Sequence, residues 1–449
     1  MVLHEERPSV DGRLLRRAIA ALMVTLVVAL GMVADARAVP PPAEDPFYVY
    51  DGAKPLAEIE PGTVLRTRTV PYHVFGLPLP LTAVQVLYRS TGQLGQPTVD
   101  ATSIVRGYSH PRDTLVSFQS AYDSLNPNDQ PSYAIAGGRT WGGSIANLEA
   151  GMVAPFLLAG FTVAIPDTEG QAANFAAGPE YGKHTLDGIR AAFNAEEVGL
   201  DPEAKVGLFG YSGGAIASEW AAELAPTYAP DVNRRLAGAA IGGVFVNPAR
   251  NLRYVDGSLG WAGVIPMAII GIARSFQVDL APYLSDEGRR LYEKLKDASI
   301  VNVLAQYPGL SWKTLAKPEY ANPESVPVFV EVVNKLIMGT GGTPTIPLFI
   351  GQAANGGLEG TPGGKPGIGA GDGVMVAGDV RSLARRYCEK GLPIEYQQYD
   401  SLSHLSAMPL WWKEASRWMA DRLEGKRPPD TCSTIEPGNP LDPVVAAKP

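Results

Sequence analysis

Two cysteines and five histidines are all that 449 residues offer a soft metal. Zinc ligation needs several such side chains close together, and His4, His73, His110, His184 and His404 are scattered, so no metal centre is expected. Basic charge is also scarce. Lys and Arg number 38 against 46 Asp and Glu, a formal net charge of −8, which excludes nucleic acid as an expected partner. The Gly-rich segment 351–373 lacks the Lys-Ser/Thr ending of a phosphate loop, so no nucleotide or other cofactor is expected. Asp167 and Glu169 form a loop acid pair of the kind that could attract a cation, but such pairs are usually solvated, and that is the expectation here. Beyond residue 38 no apolar run is long enough to span a membrane, although 261–273 is notably apolar.

The hydrophobic share of 45% and the charged share of 19% suit a globular protein with a sizeable core. Gly at 49 and Pro at 39 indicate many loops. At the N-terminus, Arg13, Arg16 and Arg17 precede an apolar stretch at 18–33 and an Ala36-Arg37-Ala38 site. This is the layout of a secretory signal peptide, residues 1–38, with cleavage expected after Ala38. The mature chain is then secreted or envelope-associated, and no lipobox cysteine near the site points to a lipid anchor. Export lets Cys388 and Cys432 pair as a disulfide, tying the Pro-rich tail at 433–449 to the last helical layer.

The most informative stretch is Lys205-Val206-Gly207-Leu208-Phe209-Gly210-Tyr211-Ser212-Gly213-Gly214. An apolar run breaks at Gly210, sets one serine between glycines, then turns helical from about 215 to 224. G-x-S-x-G between a strand and a helix is the nucleophile elbow of an α/β-hydrolase, so Ser212 is the candidate nucleophile. Around it, strands are expected at 82–89, 104–106, 114–118, 161–167, 236–246, 346–350 and 394–399. Helices are expected at 146–158, 184–198, 377–390 and 411–423, with an irregular arm from 39 to about 75. This alternation predicts a mainly parallel sheet covered on both faces. Residues 247–342 read as helical only, at 262–272, 287–304 and 328–338. They are expected to be a cap inserted between two parts of the hydrolase core, 39–246 and 343–432. Trp261, Ile265, Met267, Ile269 and Ile270 either line an acyl pocket or form the cap's own core.

In this fold the acid and the base follow the nucleophile in chain order. His404 is the only histidine after Ser212, in a loop between the last strand and the last helix, and is the expected general base. Asp372, between the 346–350 strand and the 377–390 helix, is the expected acid, with Glu359 as its rival. Asp379 suits a helix N-terminus, and Asp400 lies too near His404 in sequence. The oxyanion hole needs two backbone N–H donors. Gly213, after the nucleophile, supplies one. The other comes from Asp123 or from the Gly137-Gly138 region.

Several segments together resemble the secretory lipase family, the lipase A-like α/β-hydrolases of fungi and actinobacteria. They include Pro61-Gly62-Thr63-Val64-Leu65-Arg66, Tyr88-Arg89-Ser90-Thr91, Val116-Ser117-Phe118-Gln119 with Asp123-Ser124, Pro166-Asp167-Thr168-Glu169-Gly170 and Leu186-Asp187-Gly188-Ile189-Arg190-Ala191. The elbow and the block from Asp372 to Cys388 complete the set, covering about 61–432. The resemblance implies an ester hydrolase with Ser–Asp–His catalysis under a helical cap. It carries the acid to Asp372, the base to His404 and the second oxyanion donor to Asp123. An insertion at 356–370, just before Asp372, departs from the family pattern. The expected protein is an exported monomeric lipase or carboxylesterase, with an ester or lipid substrate and a lipid interface met through the cap. A peptidase or aryl-ester hydrolase on the same fold, and a catalytically silent envelope lipid-binding protein, are the alternatives.

Overall fold

The computed structural model describes residues 39–108 and 113–447; the expected signal peptide and its cleavage site lie outside them. The strands are β1 (Val64–Val74), β2 (Leu77–Thr91), β3 (Pro97–Val105), β4 (Thr114–Gln119), β5 (Thr162–Pro166), β6 (Lys205–Tyr211), β7 (Leu236–Gly242), β8 (Leu348–Ala353) and β9 (Ile394–Tyr399). They form one sheet in the order β1-β2-β3-β5-β4-β6-β7-β8-β9. Pairing is antiparallel from β1 to β3 and between β3 and β5, and parallel from there to β9. The longer helices are α1 (Ser144–Met152), α2 (Gly178–Asn194), α3 (Gly213–Tyr228), α4 (Pro248–Val255) and α5 (Val264–Ser275). They continue with α6 (Asp286–Leu295), α7 (Pro327–Asn334), α8 (Ala377–Glu389) and α9 (His404–Leu423).

Strand β6 shows why the layers form. Val206 and Leu208 point to one face of the sheet, Phe209 and Tyr211 to the other, and all four are buried. On the first face they join Leu186 and Ile189 of α2, Ala217 and Ala221 of α3, and Leu383 of α8. On the second they meet Trp411, Ala415 and Met419 of α9. Burying a side chain such as Trp411 or Met419 contributes about 2–3 kcal/mol. A strand apolar on both faces is stable only in the middle of a covered sheet, and β6 is in that position, between β4 and β7.

Three expectations are corrected. The arm at 39–75 is not irregular throughout, because its last part, Val64–Val74, is β1. As an edge strand it is half-buried along most of its length, and it carries Pro71 at a register shift, so it lacks the apolar alternation of an inner strand. The helix at 146–158 is broken at Val153, where Pro155 opens a second short helix, Ala154–Leu158. The last helix starts at His404, seven residues before the expected 411, with Pro409 inside it. Its start is fixed by a capping box between Ser403 and Ser406.

Between β7 and β8, all the named elements among the described residues are helical. Ile265, Met267, Ile270, Leu291, Leu295 and Val303 form a core of their own, shared with Trp261 and with Val374–Val376 beside Asp372. Ile265 and Met267 are thus core residues, whereas Ile269 and Ile270 also line an apolar cavity together with Trp312 and Phe329. The Cys388–Cys432 disulfide is formed. Beyond it, Ile435 and Leu441 are buried against the face held by α8. Further on, Asn334 of α7 exchanges two hydrogen bonds with the Val444 backbone.

Candidate active site

Ser212 stands between β6 and α3 with φ 55° and ψ −120°, a backbone state that non-glycine residues rarely occupy. The flanking glycines explain how the turn closes. A Cβ at Gly210 would lie 2.1 Å from the Gly214 carbonyl oxygen, and one at Gly214 would lie 2.0 Å from that of Gln119. The turn is pinned by the Ser212 N–H, which donates to Gly242 O at 2.8 Å. Ser212 keeps partial exposure at the C-terminal ends of the parallel strands.

His404 Nε2 is 2.8 Å from Ser212 Oγ, and His404 Nδ1 is 2.8 Å from Asp372 Oδ2. A carboxylate can only accept, so Nδ1 carries the proton and Nε2 accepts from the serine hydroxyl. Both His404 and Asp372 are fully buried. Asp372 is also oriented by donors from Gln352 Nε2 at 2.9 Å, Val374 N at 3.0 Å and Met375 N at 2.7 Å. Burial pulls the His404 imidazole down, but the Asp372 carboxylate and its hydrogen bond outweigh it. With further help from Glu359 and Asp123, the pKa ends above its usual value. Tyr211 donates its hydroxyl to the His404 carbonyl at 2.6 Å, fixing the first residue of α9 from the elbow side.

Glu359, the rival acid, does not accept the His404 Nδ1 proton, which goes to Asp372. Its carboxylate accepts from Trp261 Nε1 at 2.7 Å and from Leu405 N at 2.8 Å. Asp379 is in the first turn of α8 and pairs with Arg250.

Asp123, at φ 40°, packs on Gly213: a Cβ added to that glycine would lie 1.8 Å from Asp123 Oδ1. Gly137 and Gly138 instead pack against His73 and Tyr133. The loop carrying Asp123 is held by two carboxylates that sequence reasoning did not single out for this task. Glu149 of α1 accepts from Ser120 Oγ and from Ala121 N, while Glu169 accepts from Ser124 N at 3.1 Å and Tyr181 Oη at 3.0 Å. The Asp123 carbonyl accepts from Ile300 N at 2.8 Å, across from the helical insertion. Desolvation raises Glu149 to about 7. Desolvation, with the charge of Glu149, raises Asp123 to about 8.

The expected solvated pair is corrected here, since Asp167 and Glu169 are both fully buried. Asp167 accepts from Ser132 N and Oγ, so backbone and hydroxyl donors replace water around each acid. The legible signal for Glu149 was a lone acid in the small-residue and apolar run Ser144–Met152.

Comparison with known proteins agrees with this architecture. The secretory lipase family profile matches residues 139–431. A Mycobacterium tuberculosis protein named a probable inactive lipase is 33% identical, covering 86% of this chain and 83% of its own. Lipase A of Arthroderma benhamiae is 32% identical, over 88% of this chain and 82% of its own. Among solved structures, Candida antarctica lipase A in its closed state superposes with a TM-score of 0.75 at 24% identity. That likeness covers 90% of this chain and 91% of the other, and at this identity it speaks for the α/β-hydrolase fold alone. The chain belongs to the secretory lipase family.

Proposed function

We propose that this protein is an exported serine carboxylic-ester hydrolase of lipase type, acting as a monomer through an acyl-enzyme on Ser212. The observation that carries the reading is the unbroken hydrogen-bonded chain Ser212–His404–Asp372, with both links to the imidazole at 2.8 Å. His404 Nε2 takes the serine proton as Oγ attacks the ester carbonyl. The N–H groups of Asp123 and Gly213 stabilise the tetrahedral oxyanion. His404 then protonates the departing alcohol, and water activated by the same imidazole releases the acid and frees Ser212.

Residues 247–342 act as the cap in this reading. The apolar cavity within them, lined by Ile269, Leu284, Trp312, Phe329 and Val332, does not border Ser212 or His404 and suits an apolar group held within the cap. The disulfide supports export, because such bonds persist outside the reducing cytosol.

A catalytically silent lipid-binding protein is the second reading, favoured by the name of the Mycobacterium tuberculosis relative. A nitrophenyl ester series from acetate to palmitate, assayed with wild type beside Ser212→Ala, separates the two. Turnover that vanishes in the variant supports the hydrolase, and its chain-length profile divides lipase from esterase. A folded wild type inert on every ester, yet binding lipid with or without Ser212, makes the silent reading the better one.

A further inference from the structure

The segment at 356–370, read from the sequence as an insertion, carries one carboxylate, Glu359, and that side chain has a specific seat. Glu359 ends a short 3-10 turn, Gly356–Glu359. That turn is tied to the acid's own loop, with Gly356 N donating to Gly371 O at 2.7 Å. Gly360 follows at φ 79°, a left-handed state that suits glycine, and its carbonyl accepts from Leu259 N at 3.2 Å. This segment therefore touches the connection between α4 and α5.

From this seat the carboxylate reaches in two directions. Oε2 accepts from Trp261 Nε1 at 2.7 Å and Oε1 from Leu405 N at 2.8 Å. Leu405 N is among the N-terminal amides of α9 that have no partner within the helix, and His404 is that helix's first residue. The Trp261 ring, buried to 5% exposure, stands edge to face with the His404 ring at 5.2 Å between centroids. One carboxylate thus fixes the helix that carries the histidine and the indole that covers it.

We propose that Glu359 is a positioning residue that latches the helical insertion to the histidine, holding Trp261 against the His404 ring and capping the helix that His404 begins. The inference rests on the ester-hydrolase reading for its effect on rate. The latch shields one side of the imidazole from water and keeps Nε2 aimed at Ser212 Oγ while the proton moves. It also keeps a negative charge near the imidazolium that forms during the reaction, beside that of Asp372, with the Asp123 carboxyl, which burial raises to about 8, and the buried Tyr211 hydroxyl as the other titratable neighbours.

The test uses the full-length mature protein and the variants Glu359→Ala, Glu359→Gln, Trp261→Phe and Glu359→Ala/Trp261→Phe. Glu359→Ala is expected to lower kcat roughly tenfold with little change in KM, as a small misplacement of a general base does. In the Trp261→Phe background, which keeps a ring but has no donor, the same substitution is expected to cost clearly less, a non-additivity that marks a direct link. Glu359→Gln retains an acceptor and restores part of kcat. Both Glu359 variants, lacking the charge, move the acid limb of kcat/KM to lower pH. The low-field resonance of the His404 Nδ1 proton, followed against pH, shifts in the same direction and needs no turnover. Additive losses in the double variant, or an acid limb and resonance unmoved by Glu359→Gln, overturn the proposal. A wild type without ester turnover overturns the hydrolase reading instead, and the resonance still decides the latch.

Discussion

Asp372 holds His404 at two points: its backbone carbonyl accepts the His404 N–H at 2.8 Å, and its carboxylate meets the imidazole Nδ1 at 2.8 Å. The backbone of His404 and the tautomer of its side chain are therefore both held by one residue. Asp372→Asn keeps the backbone bond but offers an amide that can turn its NH2 toward Nδ1 and favour the wrong tautomer. A fall in kcat on the order of 10⁴ is expected, with an unchanged circular dichroism spectrum.

Ser212→Gly removes the nucleophile and the strained backbone together. Turnover is lost, and the protein gains about 1 kcal/mol, because glycine occupies φ 55° without the cost a side chain incurs. Ser212→Ala, with a Cβ still in place, loses turnover without that gain. Denaturant titration of both variants checks the difference.

The pH–rate profile follows His404, which must be neutral to accept the serine proton. Since its pKa is raised, kcat/KM is expected to fall on the acid side from a point above the ordinary histidine value of 6.5. A profile with its acid limb well below 6.5 contradicts the assigned electrostatics.

Glu149 links pH to stability with the opposite sign from a salt-bridged acid. Its pKa is about 7 in the fold against an ordinary 4.5, so between those values the folded state holds the extra proton. Stability contributed by this group therefore declines as pH rises from about 4.5 to about 7, by about 3 kcal/mol at most. Glu149→Gln flattens that slope in denaturation curves taken across the range. Glu149→Ala also frees the loop that carries Asp123, and roughly tenfold is expected to be lost from kcat.

Reducing the Cys388–Cys432 bridge, 44 residues apart in the chain, removes about 4 kcal/mol in the chain-entropy account. Thermal unfolding with and without dithiothreitol, beside a Cys388→Ser/Cys432→Ser variant, measures it. Hydrogen exchange is expected to rise first in 431–447.

The elbow was legible because its chemistry is local: glycines where an added Cβ would meet a backbone carbonyl at 2.0–2.1 Å, and a serine between strand and helix. His404 was reached by chain order, but its place as the first residue of α9 was hidden by Pro409, which reads as a helix boundary. Strand β1 was hidden because an edge strand with mixed exposure carries no clear period. The burial of Asp167 and Glu169 depends on donors from Ser132, Ser124 and Tyr181, supplied by distant parts of the chain or by the fold of the loop, and no local pattern announces them. Asp123 lies between these cases. Its loop was one of two options by residues alone, and the resemblance chose it.

Residues after the disulfide reach back to α8 and to the helices between β7 and β8. Arg385 Nη1 donates to Ile435 O, Arg250 Nη2 to Pro440 O, and Ala447 N to Glu324 O, while Asn334 brackets Val444. Synthesis runs from the N-terminus, so the helices at 248–334 emerge long before the strap that spans them. The contacts that fasten the middle of the chain therefore wait for its last-made segment. The helical layer between β7 and β8 is in that sense closed last, in an order set by the chain itself.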